Sequence, residues 1–435
     1  MSDSAALPRF SRMPAPPGSK RSLLDNHAAN APRLAGSPRI QLASARDFAA
    51  LGAEWSDLSS RAAVPNVFMD PAVAQAFAAA WPDKVRVLLA WADEPEADTQ
   101  SRLVGVWLLV ERRTRLSWPW KALVSPPGPV AYLGTPVIDR AHVSAVLAAM
   151  LEAVRKTPEL PKLIQAGDMS GGSAVMAALE AIQARGAGHW QLLETRKRAK
   201  LTSCDDPKAF WASSMSAKRL QGFARKRRQL GKEGELAMTV VDEPGAIAAA
   251  LDEFLRLEAS GWKAARHSAL ASAPATERFT REMIAALAER RLVSIEALRL
   301  NGVPVAMWVI LFSGDAAYTW RTAYDEAYSR FSPGALLLEH TTTRLLADPA
   351  VAFTDSCNHR DVGHQAERWP ERHEVGDLLI DAGPERRLRL LLLSAREKAF
   401  RSGREAARQL YHRLRPEIER IRERLSGARP PQAQG

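Results

Sequence analysis

The chain is predicted to be an α/β protein built as a duplication: two mixed, twisted sheets flanked by helices, followed by a basic C-terminal helix. Three observations predict this. Short apolar runs alternate with segments of helical period along most of the sequence. The order strand–helix–helix–strand–strand–strand–helix–strand is read in the second half and, less cleanly, in the first, with little sequence self-similarity between them. Beyond Pro384 the pattern turns helical and strongly basic.

Residues 1–37 are rich in Pro, Ser, Ala and basic residues without a sustained period, and read as a disordered leader. The first domain is placed at 38–200. RIQLASA reads as a strand, and Ala45 to Ala63 as a helix with Phe48, Leu51, Trp55 and Leu58 on one face. NVFMDPAVAQAFAAAW reads as a second helix, with Asp70 as its cap and Pro71 in its first turn. VRVLLAWA and LVGVWLLVE are apolar strands. The Pro/Gly-rich passage VSPPGPVAYLGTP leads to a helix from Ala141 to Arg155. KLIQAGDM is a buried strand, followed by a helix near Val175 to Arg185 and a last strand near WQLLET.

Residues 201–235 form a connector carrying a basic helix, SAKRLQGFARKRRQLGKEG, with Leu220, Phe223 and Leu230 along a narrow apolar side. The second domain, 236–383, opens with the strand ELAMTVVDE and helices Ala246 to Ala259 and Thr276 to Arg291. Strands LVSIEALRL, VAMWVILFS and AYTWRTAY follow, the first two joined by Asn301–Gly302, a favoured hairpin turn. Ser332 to Leu346 is a helix, and VAFTDS and EVGDLLID are strands. In 384–435 a long basic helix is expected to break or kink at Pro416 and to end in a frayed tail.

The net charge of +11 favours an anionic partner: a phosphorylated cofactor, a membrane surface or nucleic acid. The basic residues concentrate in Lys218 to Lys232 and from Arg386 onward, without the interleaved aromatics of a single-strand nucleic-acid surface. No apolar run approaches a membrane span, and no N-terminal run resembles a secretory signal. Two cysteines, Cys204 and Cys357, imply no disulfide framework and fit a reducing cytoplasm. Cys357, His359 and His364 are too scattered for a zinc site, and no metal is expected.

Three polar constellations mark the second half: GWK near a helix end, YDE after a strand, and SPG opening a helix. A glycine at a helix start lets backbone N–H groups approach an anion, which points to an enzyme with a phosphorylated cofactor. A plain helix cap with Pro at the first helical position is the alternative.

The strand order is similar to that of the GNAT acyltransferase fold. The second half resembles the CelD-type acetyltransferases associated with cellulose and exopolysaccharide biosynthesis, which are related to tandem-GNAT Fem-type peptidyltransferases. The resemblance rests on FLRLEASGWK, on LNGVPVAMWVILFSGDAAYTWRTAYDEAYSRFSPGALLLEH, and on TDSC followed by Trp369 and Arg372. WSDLSSRAAVPNVFMDP and YLGTPVIDR extend it to the first half, so that it spans Arg39 to Asp381. Two departures stand out: Lys263 is followed by AARHSAL instead of a glycine-containing segment, and Trp320-Arg321 replaces Trp-Lys.

The resemblance implies acetyl-CoA (acyl-CoA) as co-substrate, lying across a splayed gap between the fourth and fifth strands of the second half. Arg330, Ser332, Gly334 and Ala335 would grip its pyrophosphate, with Ser332 capping the helix. Backbone donors of the fourth strand would face the developing oxyanion. Asp325 or Glu326 would act as base or orient the acceptor, Asp325 being preferred. Asp355, ending the next strand, would do acid/base work or pair with Arg360 or Arg372. Cys357 could carry an acyl group, although a small half-buried residue is the more economical reading. Glu258, Trp262, Lys263 and Tyr324 would line the acceptor side.

The first half lacks a helix-opening anion site in GPVAYLGTPVIDR and is assigned to acceptor binding or scaffolding. The expected reaction is acyl transfer to an amine or hydroxyl of a sugar, polysaccharide precursor or cell-envelope metabolite. Alternatives are Fem-like aminoacyl transfer from tRNA and a non-catalytic accessory role in polysaccharide synthesis. The expected partners are a small-molecule or glycan acceptor and, through the basic C-terminal helix, an anionic membrane surface. A cytoplasmic location, peripheral to the inner membrane, follows from these expectations.

Overall fold

The computed structural model describes residues 36–426 except 83, 94–100, 127, 129, 187, 262–268 and 384–386. The expected leader and tail fall largely outside the described residues. The apolar runs become thirteen strands that share one sheet. In the first half these are β1 (Arg39–Ala43), β2 (Lys84–Asp93), β3 (Ser101–Arg112), β4 (Ala122–Val124), β5 (Val137–Ile138), β6 (Leu163–Ser170) and β7 (His189–Thr202). In the second half they are β8 (Leu236–Val241), β9 (Val293–Leu300), β10 (Val303–Ser313), β11 (Ala316–Tyr324), β12 (Phe353–Asp355) and β13 (Glu371–Asp381).

The order across the sheet is β1-β2-β3-β4-β6-β13-β7-β12-β11-β10-β9-β8, with β5 paired to β3 off this path. Read from either edge the sequence of roles is the same: β1 to β4 and β6 answer β8 to β11 and β12. The expected duplication is therefore present in the topology. At the centre the halves exchange their last strands. β13 lies between β6 and β7, and β7 lies between β13 and β12. The β7–β13 ladder runs from Glu371↔Lys200 to Asp381↔His189. β7 is consequently much longer than the WQLLET strand read from sequence. Its charged half, ETRKRAK, is paired to β13 along its length and meets β12 at Lys200, which holds it extended despite its charge.

The hairpin at Asn301–Gly302 forms as expected, with both residues at positive φ (50° and 81°). The single helix expected over 45–63 is instead two, α1 (Ala45–Ala49) and α2 (Gly52–Ser60). The break brings Phe48 edge-on to Trp55 at 5.6 Å. In α3 (Pro71–Ala80) Asp70 is the cap, accepting from the Ala72 N–H at 2.8 Å with Pro71 at the first helical position. Asp70 also accepts from Trp55 Nε1 at 2.7 Å and pairs with Arg290 of the second half.

The remaining first-half helices are α4 (Val143–Lys156) and α5 (Ala174–Ala184). The connector holds α6 (Pro207–Ser214) and α7 (Ala217–Leu230). The second half adds α8 (Pro244–Ser260), α9 (Pro274–Ala288) and α10 (Pro333–Ala347). α3 and α9 occupy matching places in the two halves and pack on each other, with Phe279 at 6.4 Å from Phe77 and 5.5 Å from Trp81. The halves thus share a core as well as a sheet.

Of the break or kink expected at Pro416, the break does not occur: the C-terminal helix α11 (Arg387–Ser426) continues through it. One lost backbone bond is offset there by neighbouring Glu, Arg and Leu residues of high helix propensity. Its first turns are anchored to the sheet. Leu390 and Leu393 pack against Leu116, Ala122, Leu163 and Leu379, and Arg389 donates to both oxygens of Asp381.

Candidate active site

β11 and β12 are parallel neighbours over three pairs only: Ala316↔Phe353, Ala317↔Thr354 and Tyr318↔Asp355. β11 then runs on from Thr319 to Tyr324, paired along this stretch with β10 on its other edge. The two strands part as a fork, and beyond Tyr318 no residue of β12 pairs with β11. Backbone groups need partners, so a fork is a natural place to bind a ligand's amides or a developing oxyanion. At its base Thr319 Oγ1 donates to the Asp355 carbonyl (3.3 Å) and accepts from Gln365 Nε2 (2.7 Å). Trp320 Nε1 donates to the Val130 carbonyl at 3.3 Å, so the Pro/Gly-rich passage of the first half closes over the fork.

The open end of the fork leads to the start of α10. Asp325 caps a short 3-10 turn, Glu326–Phe331, with Oδ1 accepting from the Ala327 N–H at 2.9 Å. Ser332 then adopts a left-handed conformation (φ 53°, ψ 56°) and Pro333 begins the helix. Pro333 has no N–H, and the N–H groups of Ala335 and Leu336 return to the Ser332 carbonyl at 3.0 and 3.2 Å. The Gly334 N–H is the first-turn donor without such a bond among the described residues. A Cβ placed on Gly334 would sit in ordinary contact with Tyr324, at 3.8 Å, so the start of α10 lies against the end of β11.

Ser332 does not cap the helix as expected. Its left-handed backbone turns the hydroxyl away from the first turn, and Oγ accepts from Lys226 Nζ of α7 at 2.6 Å. The basic connector helix therefore delivers an ammonium to the start of α10, a contribution not assigned from sequence. Arg330 is exposed and turned aside, pairing with Glu233 at 3.0 Å and lying 4.5 Å over the Phe331 ring. An open N–H, a lysine and a glycine at a helix start fit the pyrophosphate of an acyl-CoA.

Arg321, which departs from the lysine of the resembling family, stands on β11 beyond its pairing with β12. Its Nε and Nη2 are buried and have no hydrogen-bond partner among the described residues. A guanidinium in that state favours an incoming acceptor of negative charge. It lies close to Tyr132 of the first half, whose phenol burial pushes up while the Arg321 charge pulls the other way.

The acceptor-side residues meet in part. The end of α8 abuts the fork: a Cβ on Gly261 would be 3.6 Å from Glu326 Oε1 and 3.9 Å from the Tyr324 carbonyl. Glu258 is buried and accepts from the Leu270 N–H at 2.7 Å, tying the two ends of the segment after α8. Trp262 and Lys263 lie outside the described residues.

Asp355 stands apart from Asp325 and Glu326. Its register partner Tyr318 lies six residues before Tyr324, about 20 Å along a strand. Its expected pairing with Arg360 or Arg372 is replaced. Arg198 of β7 lies against both carboxylate oxygens at 2.7 Å, His373 Nδ1 is 2.5 Å from Oδ2, and the Cys357 N–H reaches Oδ1 at 2.8 Å. Arg372 pairs with Asp361 instead. The exchange of last strands puts Arg198 and His373 beside Asp355, a neighbourhood no local pattern records. Burial would raise the Asp355 carboxyl, but Arg198 and then His373 hold it well below the usual range. Burial and the Asp355 charge push the Cys357 thiol far up, which removes it as a thiolate nucleophile.

Residues 217–357 match the family of acetyltransferase (GNAT) domains, from α7 to the end of the fork. The fold is of the tandem GNAT-like kind and the chain is an acyltransferase by class, for which acyl-CoA is the co-substrate. Among solved structures, FemX is 11% identical with a TM-score of 0.51, over 79% of this chain and 96% of that one, a likeness of fold. The C-terminal domain of a putative lysylphosphatidylglycerol synthetase from Agrobacterium fabrum is 11% identical with a TM-score of 0.46, over 81% and 96%. A tandem GNAT protein from the clavulanic acid biosynthesis pathway is 14% identical with a TM-score of 0.40, over 80% and 99%. No curated protein sequence matches the chain.

Proposed function

We propose that the second half transfers an acetyl group from acetyl-CoA to an amine or hydroxyl of a sugar, polysaccharide precursor or cell-envelope metabolite. The observation that carries this reading is the fork between β11 and β12, opening towards the unbonded Gly334 N–H inside the matched segment. Gly334, Ala335 and Ser332 with Lys226 would hold the phosphates. The free edge of β11 would stabilise the oxyanion, with Arg321 and Tyr324 on the acceptor side. Asp325 keeps Oδ2 outside its cap and can take the acceptor's proton as the acyl C–S bond gives way to a C–N or C–O bond. Glu326 is the second candidate for that proton. The CelD-type resemblance supports the glycan-related acceptor, and the buried guanidinium of Arg321 favours one that bears a negative group.

Contact with an anionic membrane is part of the proposal. Leu388 (69% exposed) and Leu392 on α11 lie open, as do Trp118 (64%) and Trp120, with Arg389 5.9 Å over the Trp120 ring. Exposed Trp and Leu among basic residues suit a lipid interface. Calorimetry with acetyl-CoA tests the main reading: binding in the micromolar range is expected, and none at high micromolar concentration would refute it. The second reading, aminoacyl transfer from tRNA, is supported by the basic α7 and the FemX-like fold. It requires salt-sensitive tRNA binding and no CoA affinity.

A further inference from the structure

The exchange of last strands aligns three side chains from three strands and both halves. Ser170 ends β6, His373 lies on β13 and Asp355 ends β12. His373 Nε2 is 2.8 Å from Ser170 Oγ, and Nδ1 is 2.5 Å from Asp355 Oδ2. Arg198 and the Cys357 N–H keep the Asp355 carboxylate supplied with donors, as its ionised form requires. An ionised carboxylate can only accept, so the neutral imidazole carries its proton on Nδ1. Nε2 then faces Ser170 as an acceptor, and the serine hydroxyl donates to it. That is the arrangement of a base-activated nucleophile.

We propose that Ser170, His373 and Asp355 form a second acyl-transfer site, at the closed base of the fork and away from its Asp325 end, for a small ester or thioester with an anionic leaving portion. Ser170 and His373 border a cavity of about 360 Å³. Its walls include Pro65, Leu133 and Phe353, which suit an acyl chain, and Lys197, Lys200 and Arg372, which suit negative charge. The Ser170 and Gly171 N–H groups are bonded to Thr135 Oγ1 and the Glu374 carbonyl, both at 2.7 Å. The N–H groups of Gly172 and Ser173, entering α5, make no hydrogen bond among the described residues and are the oxyanion donors.

In the first step Ser170 Oγ bonds to the acyl carbon while its proton passes to His373 Nε2. The bond to the leaving oxygen or sulfur breaks, and His373 returns the proton to that atom. Water then attacks the acyl-serine, giving its proton to His373, and the ester bond breaks as Ser170 recovers its proton. His373 is the base, and Asp355 positions it.

The test uses the full chain with an alkyl fluorophosphonate, read by intact mass and peptide mapping. One adduct on Ser170 is expected, absent in Ser170→Ala and formed at least tenfold more slowly in His373→Gln, with circular dichroism confirming the fold of each. Asp355→Asn should slow labelling, because the carboxylate that positions His373 through Nδ1 is gone. No adduct on the wild-type protein would overturn the proposal without needing any variant. An adduct only at other residues, or Ser170 labelling indifferent to His373→Gln, would overturn it too. The assay contains no CoA, so its failure and that of acetyl transfer at the fork are separate results.

Discussion

Replacing Arg198 by Met tests the polar junction between the exchanged strands. Arg198 and Asp355 are 1% and 0% exposed as side chains, and the guanidinium lies 2.7 Å from each carboxylate oxygen. It also donates to the Tyr132 carbonyl at 2.6 Å. Methionine roughly conserves the aliphatic stem but leaves a buried carboxylate with His373 and one backbone N–H. Removing one partner of such a pair costs about 3–5 kcal/mol, whereas replacing both by apolar groups is close to neutral. Arg198→Met should therefore lose about 4 kcal/mol in urea unfolding, and Arg198→Met with Asp355→Leu should recover most of it. A single-variant loss below about 1 kcal/mol would show that the pair is not desolvated as described. The pH dependence follows from the depressed carboxyl. The Asp355 contribution is complete above its ordinary value of 3.8 and is lost as pH falls below that towards the folded-state value. The cost of Arg198→Met should shrink over the same acid range, since the unpaired carboxylate takes up a proton there. A cost that stays constant down to about pH 3 would contradict the assigned partner.

Gly334→Trp should fill the space before the α10 N-terminus and weaken acetyl-CoA binding at least tenfold, or about 1.4 kcal/mol by calorimetry; unchanged affinity would place the phosphates elsewhere. Asp325→Asn should lower kcat about a hundredfold with little change in CoA affinity, and wild-type turnover would exclude it as the base. Arg321→Met should leave stability unchanged or raise it by about 1 kcal/mol while raising the KM of an anionic acceptor. Destabilisation there would mean that the guanidinium is structural. Leu388→Ser with Leu392→Ser should reduce co-sedimentation with phosphatidylglycerol vesicles about tenfold, and equal binding would remove α11 from the membrane contact.

Much of the fold was legible because its signals are local. Asp70 and Pro71 marked a helix start, Asn301–Gly302 marked a hairpin, and repeated alternation of helical and extended segments marked the duplication. SPG and YDE lie on either side of one short turn, and the structure brings Gly334 beside Tyr324 and Gly261 beside Tyr324 and Glu326. What could not be read is register between strands far apart in sequence. Nothing local announces that Glu371–Asp381 slips between β6 and β7, or that Arg198 faces Asp355. The charged run ETRKRAK extends the strand read near WQLLET, and Arg196 and Arg198 keep the period-two spacing of a strand face.

The same exchange explains why the partners of Asp355 lay outside the residues singled out from sequence. Asp355 itself stands out at a strand end, but Ser170 and His373 are unremarkable in their own segments, and only pairing across β6, β13, β7 and β12 places the three within hydrogen-bond reach. A single GNAT-like half has no opposite number with which to exchange its last strand. The duplication therefore does more than add a scaffold beside the acyl-CoA fork. It builds a junction whose buried charges must be paired to be stable, and the pairing that stabilises it also fixes the tautomer of His373 and aims its free nitrogen at a serine.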